Sequence, residues 1–167
     1  MIKISVCDDD EGQLTFFKQC FMEYNEKHKE KIEANFYQSV QSLLNEKKFS
    51  PDVYFLDIEL QDGNGLKLAG KIRTRNSKIP IVFITSHEEF MPEAFQVHAY
   101  QYLNEKKNAQ AVENVLNQLA DYFSEQNQIF SFQTYGEMIS LDCRNIICFT
   151  SEKRKNIVIA ENGEFEY

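Results

Sequence analysis

The chain has 167 residues, of which 43% are hydrophobic, and carries a formal net charge of −8. That apolar content suits a folded core and argues against disorder, while the acidic balance opposes non-specific binding to nucleic acid or to an anionic membrane surface. No apolar run approaches 18 residues and no signal peptide is evident, so a cytoplasmic protein without a membrane role is expected.

The apolar run Ile2 to Cys7 reads as a buried strand and is followed by Asp8 and Asp9. Leu14, Phe17, Phe21 and Tyr24 recur at steps of three and four, which predicts an amphipathic helix capped by Asp10 or a neighbour. A short strand is expected near Ile32–Tyr37, and Val40, Leu43 and Leu44 mark the next helix. Pro51-Asp52 opens a third strand, Val53 to Leu56, followed by Asp57. Gly63-Asn64-Gly65 reads as a turn, after which Leu66, Ala69 and Ile72 begin another helical stripe. Pro80 opens the strand Ile81 to Ile84, which ends in Thr85-Ser86. Phe90, Ala94, Phe95 and Val97 hold helical spacing, and a short strand covers about Tyr100–Leu103. Val112, Val115, Leu116, Leu119 and Phe123 set a final helix. Five rounds of β-α alternation predict a doubly wound parallel sheet.

After about Gln126 the helical stripes stop. Short strand-like segments at Ile129, Met138, Ile146 and Asn156 predict an antiparallel tail of about 40 residues, small for an independent core. The expected organisation is therefore one α/β domain over 1–125 and a partial β domain over 126–167. Cys7, Cys20, Cys143 and Cys148 lack metal spacing and read as buried thiols. His28, His87 and His98 are scattered and read as surface or loop residues.

In a doubly wound sheet Asp8, Asp9, Asp57 and Thr85 gather outside the carboxyl ends of neighbouring strands, where ligands bind. Crowded carboxylates repel unless a cation lies among them, so a divalent metal is inferred. Asp57 is then a carboxylate nucleophile able to form an acyl phosphate, with Mg²⁺ neutralising charge in an in-line transfer. Asp9 would ligate directly and Asp8 through water, and Thr85 would hydrogen-bond a phosphoryl oxygen.

The segments Val6-Cys7-Asp8-Asp9-Asp10-Glu11, Tyr54-Phe55-Leu56-Asp57-Ile58-Glu59 and Phe83-Ile84-Thr85-Ser86 resemble the receiver domains of bacterial two-component response regulators. The resemblance covers roughly residues 1–123. With Glu93-Ala94-Phe95-Gln96-Val97 it looks most like receivers joined to LytTR DNA-binding domains, and the tail from Ile129 is similar to the opening strands of that domain. The resemblance implies a flavodoxin-like sheet of order 2-1-3-4-5, phosphorylation by a sensor histidine kinase, and a further Mg²⁺ contact from the Glu59 backbone carbonyl. It also makes Tyr102 the aromatic that follows Thr85 in switching, and Gly65 the glycine after the phosphorylation loop. A homodimer through the fourth helix, fifth strand and fifth helix is implied as well. DNA binding would require a complete LytTR domain.

One departure bears on the chemistry. The family has lysine then proline after the fifth strand, where this chain has Glu105 and Lys106. The lost charge-assisted bond is worth roughly 1.5–3 kcal/mol. In one reading Lys106 or Lys107 takes the lysine's place and phosphorylation survives. In the other the domain is degenerate and works as a phosphorylation-independent interaction module. Two decoys weigh less. Gly65 to Lys71 nearly spells a phosphate-binding P-loop, but its apolar spacing is that of a helix. A Mg²⁺-dependent phosphatase with Asp57 as nucleophile and Glu59 as acid/base fits the strand and Thr85 spacing less well than a receiver, which is a phosphoacceptor rather than an enzyme.

Overall fold

A computed structural model describes residues 1–48, 50–85, 88–103, 108–126, 129–134, 136–152 and 155–167. Its contacts divide the chain into two units, Met1–Leu116 and Asn117–Tyr167.

The first unit begins with β1 (Ile2–Cys7), α1 (Glu11–Lys27), β2 (Ile32–Tyr37), α2 (Val40–Asn45) and β3 (Val53–Asp57). A two-residue ladder, β4 (Glu59–Leu60) with β5 (Gly63–Asn64), leads into α3 (Gly65–Arg75). Next come β6 (Ile81–Ile84), α4 (Met91–Gln96), β7 (Gln101–Leu103) and α5 (Ala109–Gln126), the last running past the boundary of the unit. The five main strands are all parallel, in the order β2-β1-β3-β6-β7. This is the doubly wound sheet expected from the alternation.

The sheet is a two-sided core, which explains why its strands read as unbroken apolar runs. Phe55 and Leu56 are adjacent and both fully buried, yet serve opposite layers because strand side chains alternate. Phe17 and Phe21 of α1 each meet the Phe55 ring at 5.8 Å in edge-to-face geometry. Leu56 joins Leu68, Ala69 and Ile72 of α3 with Phe83 of β6 in a separate cluster. Each large side chain so buried contributes about 1.5–3 kcal/mol relative to exposure. The helix starts are specified locally. Asp10 caps α1 by accepting from Gly12 N at 2.7 Å and Gln13 N at 3.3 Å. Asn64 caps α3 by accepting from Leu66 N at 2.9 Å and Lys67 N at 3.2 Å.

Gly63-Asn64-Gly65 is not the turn its composition suggests. The chain reverses two residues earlier, at Gln61-Asp62, and Gly63-Asn64 is the returning strand with Asn64 as helix cap. Gly65 to Lys71 is helical, as its apolar spacing requires.

In the second unit β8 (Ile129–Thr134) pairs antiparallel with β9 (Glu137–Asp142). β10 (Ile146–Glu152), β11 (Lys155–Ala160) and β12 (Gly163–Glu166) form a three-stranded antiparallel sheet. The last strand had no counterpart among the expected elements. Phe132, Leu141, Val158 and Ala160 are buried together, whereas Ile129, Met138, Ile147 and Phe149 stay exposed. The cysteine expectation needs correction here. Cys7 and Cys20 are buried, but Cys143 lies in a short 3₁₀ turn and Cys148 on the exposed β10, and both are open to solvent.

Candidate functional site

Parallel register assembles the site. Cys7 pairs with Leu56, so Asp8 and Asp57 follow side by side at the ends of β1 and β3. Asp57 pairs with Ile84, and Ile84 with Leu103, which sets Thr85 one residue beyond. The Thr85 backbone N–H donates to the Leu103 carbonyl at 3.0 Å, holding the end of β6 to β7. Carboxylate oxygens of Asp8, Asp9 and Asp57 all lie within 4.8 Å of one another. Asp8, Asp57 and Thr85 are buried and Asp9 is half-buried.

Backbone N–H groups aim these carboxylates. Asp8 Oδ1 accepts from Asp10 N at 2.9 Å, Asp57 Oδ1 from Ile58 N at 2.8 Å, and Asp9 Oδ2 from Gln61 N at 3.0 Å. The donor set is carboxylate oxygen throughout, the type preferred by a hard divalent cation such as Mg²⁺. Its field is felt by the neighbouring thiol. Cys7 is pushed up to about 12, first by burial and then by the charges of Asp62, Asp8, Asp57 and Asp9.

Gly65 closes the loop after Asp57. A Cβ there would stand 2.0 Å from the Asp57 carbonyl oxygen, while the Gly65 N–H donates to the Ile58 carbonyl at 2.8 Å. Close backbone approach, rather than freedom in φ, is what excludes a side chain, because Gly65 is not among the positive-φ residues. Glu59 lies in β4 opposite Asn64, with its side chain exposed. Tyr102 is half-buried on β7, opposite Phe83. Glu105 and Lys106 fall outside the described residues, as do Ser86 and His87.

Two contributors escaped the sequence reading, the Gln61 backbone and Asp62. Both Asp62 oxygens accept from the start of α2, from Val40 N and Gln41 N at 2.9 Å each. The Asp-Gly pair at 62–63 is a turn signal that could have located the reversal, but nothing local points to its distant partners.

Residues 4–117 match the response regulator receiver domain family, and the chain belongs to it. Receivers of this kind are the phosphoacceptor domains of two-component systems. Among relatives, an uncharacterized response regulatory protein of Yersinia pestis is 29% identical over 120 residues, covering 72% of this chain and 49% of that protein. The sensory transduction protein LytR of Staphylococcus haemolyticus is 32% identical over 95 residues, 57% of this chain and 36% of that one. The chain thus spans about half or less of the length of these relatives. The response regulatory domain of MrkE from Klebsiella pneumoniae shares the fold at a TM-score of 0.62 and 24% identity, over 75% of this chain and all of that one. TrrA of Thermotoga maritima, solved with Mg²⁺ and beryllium fluoride, aligns at a TM-score of 0.61 and 22% identity, over 71% of this chain and 99% of that one. Likenesses at these identities establish the fold. Among the described residues, no helix is long and apolar enough to cross a membrane.

Proposed function

We propose that Asp57 accepts a phosphoryl group from the phosphohistidine of a sensor kinase. The receiver would span 1–125, and residues 126–167 would begin a LytTR-type output domain. The observation that carries the reading is the meeting of three carboxylates within 4.8 Å beside the buried Thr85. An Asp57 oxygen attacks phosphorus in line, the donor's bond to phosphorus breaks, and an acyl phosphate forms. Asp8, Asp9, Asp57 and the Glu59 carbonyl would hold Mg²⁺. Bound there, the cation neutralises the carboxylates and the charge that spreads over the transferring group. Thr85 donates its hydroxyl to a phosphoryl oxygen, and Tyr102 on the adjoining strand follows that movement. The surface beyond, on α4, β7 and α5, would serve as the dimer face.

Lys106 is assigned as the cation that replaces the family's lysine, with Glu105 in that lysine's position. The test is incubation of the 167-residue chain with Mg²⁺ and a small-molecule phosphodonor, read by intact mass. The expected result is one added phosphate in the wild type, none in Asp57→Asn, and a slower gain in Lys106→Ala. A wild type that never gains phosphate beside a control receiver that does would refute the assignment. That outcome would favour the second reading, a phosphorylation-independent interaction module, which the Glu105 substitution supports. The tail from Gln126 holds more acidic than basic residues, so retention of specific duplex DNA at physiological salt is not expected of this stretch.

A further inference from the structure

Asp62 is not one of the three clustered carboxylates, but it lies at the tip of the hairpin that carries Glu59 and meets Asp9 through the Gln61 N–H. We infer that Asp62 is a positioning residue for the cation site, clamping the β4–β5 hairpin to the start of α2 so that Asp9 and the Glu59 carbonyl keep their places. The inference rests on the Mg²⁺ reading above.

A ladder of two residues per strand has little stability of its own. Here it is fastened at its base by the Gly65 N–H to the Ile58 carbonyl, and along one side by the Gln61 N–H to Asp9. Its tip is fastened by Asp62, whose two oxygens each take an N–H 2.9 Å away, across 22 and 21 positions of sequence. The contact is close-fitting, since a Cβ at Gly63 would stand 3.0 Å from Val40 Cγ2. Gln61 and Asp62 are consecutive, so a tip released from α2 carries the Gln61 N–H away from Asp9. Glu59 lies on the other arm of the same hairpin.

Ser39 and Asp62 divide the start of α2 between them. The Ser39 hydroxyl already caps α2 by accepting from Ser42 N at 3.0 Å. Asp62 takes the two N–H groups before it, which have no partner within the helix. Those bonds hold the Asp62 carboxyl below the usual carboxylate range.

The experiment is titration of the 167-residue chain with Mg²⁺ alone, without phosphodonor, by calorimetry and by backbone amide shifts of Ile58 and Gly65. Asp62→Ala is expected to weaken Mg²⁺ about tenfold, the scale seen when groups supporting metal ligands are removed. Asp62→Asn keeps an acceptor but no charge and should fall between Asp62→Ala and the wild type. Ser39→Ala loosens the same helix without touching the hairpin and should bind Mg²⁺ as the wild type does, which separates positioning from general destabilisation. Wild-type affinity in both Asp62 variants, or an equal loss in Ser39→Ala, would overturn the role of Asp62 alone. Absence of saturable Mg²⁺ binding by the wild type would instead bring down the metal reading and this inference together.

Discussion

Gly65→Ala is the most demanding test of the loop geometry. The added Cβ would lie 2.0 Å from the Asp57 carbonyl oxygen, 2.9 Å from its carbonyl carbon and 3.1 Å from Ile58 Cα. All three atoms are backbone, so no rotamer change relieves the clash. Restoring ordinary contact needs a separation of about 1.5 Å beyond the present one. Asp57 belongs to the buried β3 and resists moving, so the start of α3 must shift outward. That shift breaks the 2.8 Å bond from Gly65 N to the Ile58 carbonyl. Overpacking costs about 1–3 kcal/mol and the lost bond about 0.5–1.5 kcal/mol, less a few tenths recovered from alanine's helix preference. A net loss of about 2–3 kcal/mol lowers the Tm of a unit of this size by about 10 °C. Far-UV circular dichroism melts measure that directly, and phosphodonor labelling should slow in parallel because the loop between Asp57 and α3, which borders the carboxylates, is displaced. A Tm within about 2 °C of wild type, with unchanged labelling, would refute the close approach.

Gly70→Ala sits inside α3 with nothing within 4 Å of the new Cβ, so it should stabilise by about 0.5–1 kcal/mol in denaturant titration and leave phosphorylation unchanged. Unchanged labelling would also count against a P-loop role for that glycine. In the native protein a thiol reagent should label Cys143 and Cys148 quickly, and Cys7 and Cys20 only after unfolding, as read by mass. Cys7 rises from its ordinary 9.0 to about 12, so the folded state retains a proton that the unfolded chain gives up above pH 9. Stability should therefore decline as pH climbs from about 9 towards 12, measured as a falling denaturation midpoint. Asp62 has the opposite sign. Its folded-state pKa is depressed below 3.8, so its contribution is present above that value and lost as pH falls through the folded pKa. Asp62→Asn should flatten the acid limb of the pH–stability curve.

Much of the first unit was legible because its signals are local. Apolar runs bounded by Pro51-Asp52 and Pro80 marked strands, and Leu14, Phe17, Phe21 and Tyr24 marked a helix face that is buried as expected. The acidic residues stood out because they follow those runs, where an apolar sequence gives no reason for charge. The reversal after Asp57 lies two residues before the glycine-rich stretch, because there Gly65 serves close packing and Asn64 serves a cap. The exposed Cys143 and Cys148 were misjudged because the apolar residues around them do not decide which side of a small sheet is covered.

By itself, then, the sequence determined the parallel sheet, the family, and the presence of three aspartates at strand ends. Those features depend on periodicity and on residues adjacent in the chain. Tertiary structure alone decided that the carboxylates converge within 4.8 Å, that the Gln61 N–H meets Asp9 while Asp62 meets the start of α2, and that Gly65 can bear no side chain. The reason is physical. A hydrogen bond spanning 21 to 52 positions, or a backbone contact across a loop, depends on how strands align in space and leaves no period in the chain to read.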